Sequence, residues 1–231
     1  MNTLRQFFSR DLAPLTATLV SATAIATLMV AVRVLNTGQL LYAFLVWNLI
    51  LAWLPFMFAV VMQYRVREVN CSGWSSAVLA VGWLLFFPNA PYIFTDLVHL
   101  ERSTPNLFWA DLVLVLICAL IGIVLGLASL RIMHLLVRRR WGWFAGWTFV
   151  AWVAGLAAFG VHLGRFVRLN SWDVALAPLA LVREIGESVI AMIVQPHQAV
   201  FPALFAFFLF LAYAMVHALS RMPHVDPNPA N

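Results

Sequence analysis

The chain has 231 residues, 64% hydrophobic and only 10% charged, with a mean hydropathy of +0.92. A soluble globular domain carries about 25% charged residues, so nothing exists to cover a core this apolar and that class is excluded. The formal net charge is +5, carried by 14 basic residues that are all Arg, and with no soluble basic face the partner is a lipid bilayer and not a nucleic acid.

The apolar runs predict an all-α polytopic transmembrane bundle with about six spans and one amphipathic interfacial helix, forming a single domain over 1–222. A β-barrel needs alternating segments of about ten residues, whereas these runs are continuous and about twice as long. The first span runs from Leu12 to Val32. Arg5 and Arg10 ahead of it allow a cleaved signal peptide, but Asp11, Pro14 and the length of the run favour a retained helix. The second runs from Leu40 to Gln63 and contains Asn48 and Pro55. The third runs from Trp74 to Phe87, short for a crossing, and is expected to stop where Pro88 and Pro91 force an extended turn. The fourth covers Leu107 to Val137, the fifth Trp141 to Leu163 and the sixth Val200 to Leu219. Between the last two, Leu179, Val182, Ile185, Val189 and Ile193 recur at helical spacing from Val174 to Val194, while Arg183, Glu184 and Glu187 fall on other faces. That pattern predicts an interfacial helix rather than a seventh span. The tail from Pro223 to Asn231 is Pro-rich and reads as disordered.

With the N-terminus inside, nine of the 14 Arg fall in inner segments, and Arg138-Arg139-Arg140 is the strongest inside marker. The expectation is an inner-membrane protein with both termini cytoplasmic. Cys71 in a loop and Cys118 in mid-span are placed too far apart for a disulfide, and no CxxC or zinc spacing occurs. His134 and His217 near the inner ends read as interfacial.

Parity puts the segment from Phe87 to Leu100 and the segment from Gly164 to Asp173 on the same face. Asp96 and His99, three apart, share one face of a helix. They suit a base–orienter pair or a metal, or Thr95 or Asp96 simply caps a helix. Arg165 and Arg168 suit a phosphate or carboxylate on an anionic lipid or small anionic ligand. Asp173 is a catalytic candidate, a structural partner for either Arg or, with Ser171 as the alternative, an N-cap, and Asn170 is a further substrate-binding candidate. Asn48, Asn89, Asp111 and His162 fall at the same depth and complete a candidate substrate-binding set, although Asp111 has an outer Arg as its alternative partner. Asn48 has a helix–helix hydrogen bond as its plain role.

The strings Trp47-Asn48-Leu49, Leu51-Ala52-Trp53-Leu54-Pro55, Phe87-Pro88-Asn89-Ala90-Pro91-Tyr92 through Thr95-Asp96 to His99-Leu100, Gly164-Arg165-Phe166 with Arg168, and Asn170-Ser171-Trp172-Asp173 together resemble the bacterial membrane family known as domain of unknown function 1361 (DUF1361). The resemblance extends roughly from Leu40 to Leu219. It implies a multi-pass membrane protein and supplies no catalytic roles. Three readings stand on the residues: a one-sided site that binds or processes an anionic lipid or envelope precursor; a small transporter or channel lined by Asn48, Asn89 and Asp111; and a scaffold subunit whose polar motifs are internally paired.

Overall fold

The computed structural model describes residues 12–68, 73–169 and 173–221. Cys71, Asn170, the Arg5–Arg10 flank and the C-terminal tail lie outside them. Every regular element among the described residues is helical. In chain order these are α1 (Leu12–Thr37), α2 (Phe44–Glu68), α3 (Trp74–Phe86), the single turn α4 (Asn89–Tyr92), a 3₁₀ segment (Ile93–Arg102), α5 (Phe108–His162), a π segment (Leu163–Val167), α6 (Asp173–Leu176), α7 (Pro178–Val194), a 3₁₀ turn (Pro196–Ala199) and α8 (Val200–Leu219).

Five helices are long and apolar enough to cross a membrane: Leu12–Thr37, Phe44–Val66, Trp74–Arg102, Phe108–Val167 and Pro196–Leu219. The fourth is two limbs. A straight helix over Phe108–His162 would extend about 80 Å, far beyond a hydrocarbon core of about 30 Å. Gly142 breaks it at φ 89 and ψ 178, a conformation that a Cβ disfavours. His134 and Trp147 flank the break and would lie about 20 Å apart on a straight helix, yet their ring centroids are 5.3 Å apart. The limbs therefore fold back on each other, and the fourth and fifth spans separate at Gly142, just past the Arg138–Arg140 run.

The third span departs from the sequence expectation. Pro88 and Pro91 do not force an extended turn: Pro88 has φ −59 and ψ −25, and the chain stays helical from Trp74 to Arg102. A new helical turn starts at the prolines, and first-turn N–H groups have no intrahelical partner to lose. The neighbouring limbs of α5 are shaped to receive this turn. A Cβ on Gly122 would come within 2.4 Å of the Ala90 carbonyl oxygen, and one on Gly160 within 2.7 Å of Pro88 Cγ. The result is a 29-residue segment, long enough to cross.

Helix α7 matches the expected amphipathic helix. None of its residues is buried, and Arg183 pairs with Glu187 at 2.7 Å in the open. Reversing direction at each connection leaves two distinct bundle ends. One carries the ends of α1, the 3₁₀ segment and the second limb of α5, together with the starts of α2 and α5. The other carries Gly142 and the end of α8.

Candidate functional site

A 3₁₀ helix has three residues per turn, so positions i and i+3 eclipse. Asp96 and His99 thus stand one above the other in the segment Ile93–Arg102. The residue that meets them comes from the second limb of α5, where the π segment Leu163–Val167 carries Arg165 inward. Arg165 Nη2 donates to Asp96 Oδ1 at 2.6 Å and to Thr95 Oγ1 at 2.7 Å, while Nε also donates to Thr95 Oγ1 at 3.1 Å. Its Nη1 lies 3.1 Å from His99 Nε2. A guanidinium only donates, so Nε2 is the acceptor and the ring proton sits on Nδ1. The guanidinium also stacks over Tyr92, with Cζ 4.8 Å from the ring centroid. From α2, Asn48 Nδ2 donates to the second oxygen of Asp96 at 2.8 Å. Asp96 is 1% exposed, Arg165 15% and His99 22%.

Three helical segments are thereby tied at one point, and the two opposite charges cancel there. Arg165 thus bridges Asp96 and His99, whose own Nε2–Oδ1 distance is 3.8 Å. Among the described residues no group of three or more His, Cys, Asp or Glu side chains is placed to hold a metal.

Asp111 does not join this cluster. It takes a two-pronged bond from Arg33, with Nε to Oδ1 at 2.7 Å and Nη2 to Oδ2 at 3.1 Å, and a third from Ser103 Oγ at 2.5 Å. Both charged partners are buried, which makes this a separate clasp between α1 and α5. The outer-Arg partnership is the one the protein adopts. Arg168 follows the π segment in a left-handed conformation (φ 66) with an exposed side chain. His162 faces elsewhere, stacking on Phe166 and lining a cavity of about 480 Å³ with Glu187, Ser188 and His197. Asp173 is the half-buried first residue of α6.

Asn48 and Asn89 both line a second cavity, of about 510 Å³. This cleft lies between α2, α3–α4 and the second limb of α5. Its deeper wall, the part toward mid-span, is apolar and formed by Leu51, Leu84, Leu85, Leu156 and Phe159, with Leu84 and Leu156 partly open to the bundle's outside. Its rim carries Tyr92, Leu169 and Val174, and Leu181 and Ile185 of α7 lie against it. From Leu84 to Tyr92 the groove extends about 12 Å along the helix axes.

Two parts of the polar architecture go beyond the sequence reading. Tyr92 and Thr95 also hold Arg165; the available signal was their i, i+3 spacing, four residues ahead of the Asp96–His99 pair. At the other bundle end, His134 and His217 are not interfacial. His134 is fully buried, with Nδ1 2.5 Å from the Tyr213 hydroxyl, and His217 is 7% exposed. The reason is the close limb crossing at Gly146, where a Cβ would stand 2.7 Å from His134 Nε2.

The family model described as protein of unknown function (DUF1361) matches residues 47–212, a span that contains Asn48, the Asp96 segment, Arg165 and the whole cleft. No curated protein and no solved structure matches the chain.

Proposed function

The chain belongs to the DUF1361 family, and on that premise we propose that it is a multi-pass inner-membrane protein that binds an anionic lipid or lipid-linked envelope precursor. The Arg excess supports an orientation with both termini in the cytoplasm and the Asp96–Arg165 cluster at the extracytoplasmic face. The cleft carries the proposal: its deep wall is aliphatic and aromatic, while its upper wall holds the amides of Asn48 and Asn89. Such a gradient suits an amphiphile whose chain lies between the helices and whose ester or hydroxyl groups meet the amides. Arg165 is neutralised by Asp96 and serves as a rigid polar floor. Arg168, exposed beside Leu169 on the rim, supplies the charge for an anionic head.

Native mass spectrometry of gently extracted protein tests this. Wild type retains a lipid adduct; Leu84→Trp and Leu156→Trp, which fill the deep wall, lose it; Arg168→Gln keeps an adduct but loses preference for anionic heads. Unchanged adducts in both Trp variants refute the reading.

The transporter reading loses support because Asp111 is clasped by Arg33 and Ser103, away from the cleft that Asn48 and Asn89 line. The scaffold reading has a specific observation behind it: both oxygens of Asp96 are engaged within the chain. It predicts that cleft-filling variants leave every lipid adduct unchanged.

A further inference from the structure

At the Gly142 end of the bundle, polar groups gather that the cleft does not use. Tyr213 and His217 on α8 face His134 on α5, with the two imidazole centroids 5.5 Å apart. Trp147 meets both imidazoles, at 5.3 and 5.2 Å. His134 Nε2 and both ring nitrogens of His217 are buried with no hydrogen-bond partner among the described residues. Buried imidazole nitrogens are costly to leave unpaired, and since His134 Nε2 abuts Gly146, it is the two nitrogens of His217 that point to a missing partner.

The surroundings decide its sign. Arg131 donates to Ser220 Oγ, which in turn donates to the His217 carbonyl at 2.7 Å. Arg138 packs beside His134 at Gly146, its Cβ 3.1 Å from where a Cβ on Gly146 would sit. Arg221 follows one turn after His217, and the charges of Arg131, Arg138 and Arg221 all act on that ring. None of the ion pairs among the described residues involves these three arginines. Glu68 is the only acidic residue of the described chain at this end. Three guanidinium charges repel a metal cation, whereas guanidinium and imidazole N–H groups are the donors an oxyanion needs.

We propose that this end of the bundle is a phosphate-binding site, in which Arg131, Arg138 and Arg221 supply charge and His217 a further N–H donor. The chemistry fits either an anionic lipid headgroup or free phosphate, and it stands independently of the cleft at the opposite end.

Two probes separate the sources. Inorganic phosphate is titrated against chloride at equal ionic strength, following the melting temperature of detergent-purified protein. Phosphatidylglycerol competes with phosphatidylcholine in mixed nanodiscs, followed by native mass spectrometry. Binding in either arm, weakened about tenfold or more by Arg131→Gln/Arg138→Gln, is the expected result. Arg221→Gln lies beyond the last helical residue of α8, so it leaves the fold intact should the double variant fail to assemble, and it also weakens binding. A response to phosphate alone assigns a free anion, and one to phosphatidylglycerol alone assigns a headgroup. No response to either probe, or equal responses in wild type and Arg221→Gln, overturns the site.

Discussion

Replacing Asp96 with Asn removes one charge while preserving shape, and the geometry fixes what remains. Arg165 keeps Thr95 and the Tyr92 ring but loses its counter-charge, which lies 2.6 Å away on a side chain only 1% exposed. Breaking a buried pair from one side costs about 3–5 kcal/mol. Because Arg165 is 15% exposed, the lower end applies, about 3 kcal/mol. For a chain of this size that corresponds to a melting point lower by roughly 6–12 °C. Removing both charges together, in Asp96→Asn/Arg165→Met, leaves no stranded guanidinium, so the double variant loses less than the sum of the two single ones by about 2 kcal/mol. The assay is intrinsic Trp fluorescence during thermal unfolding in one detergent, with all four members of the cycle side by side. An Asp96→Asn protein melting within about one degree of wild type, or a strictly additive cycle, refutes the claim that this pair ties the segments together.

Three further outcomes follow from the geometry. Gly122→Ala drives a Cβ to 2.4 Å from the Ala90 carbonyl and costs about 1–3 kcal/mol, whereas Gly155→Ala, with nothing within 4 Å, leaves the melting point unchanged or slightly raised. Gly142→Ala meets no neighbour but imposes a Cβ at φ 89; it lowers stability by about 1–3 kcal/mol in the same assay, and an unchanged melting point sinks the hairpin reading. Tyr42, between α1 and α2, is held above the ordinary phenol range, first by burial and then by the nearby Asp111 charge. The unfolded phenol ionises near pH 10 and the folded one later, so its contribution is complete below about pH 10 and fades as pH rises through the folded value. Tyr42→Phe flattens the alkaline fall in melting temperature, and equal slopes in the two proteins count against it.

The crossing segments were legible because hydropathy over about twenty residues needs no partner to be read. The same holds for the amphipathic pattern of α7. The PNAPY string was misjudged because proline rules describe a chain in isolation. Here Gly122 and Gly160, distant in sequence, leave room for Ala90 and Pro88 to pack as a restarted helix. Asp96, His99 and Arg165 could be assigned to one face by counting spans. Counting could not choose partners, however, so Asp111 looked like a member of the same site when it forms its own clasp with Arg33. The π turn that aims Arg165 at Asp96, and not into solvent like Arg168, has no signature in the residue order. The burial of His134 depends on a limb crossing at Gly146 that only the fold reveals.

How the carboxylates are distributed links the two ends of the bundle. Asp96 and Asp111 neutralise Arg165 and Arg33 within the chain, so at that end an arriving anion meets two guanidinium charges that already have carboxylate partners. In the proposed reading the apolar cleft recognises the ligand, and exposed Arg168 adds a charge beside its rim. At the Gly142 end the arginines have almost no acidic company, and buried imidazole nitrogens stand beside them without partners. An anion there meets guanidinium charges that no carboxylate among the described residues pairs. The two proposed sites thus differ in selectivity: shape and hydrophobicity at the end where ion pairs close, and charge at the end where they stay open. Salt separates them experimentally. Raising ionic strength screens exposed charges strongly and apolar burial hardly at all, so lipid held in the cleft survives salt that releases phosphate from Arg131, Arg138 and Arg221. Loss of both ligands at the same salt concentration contradicts this division.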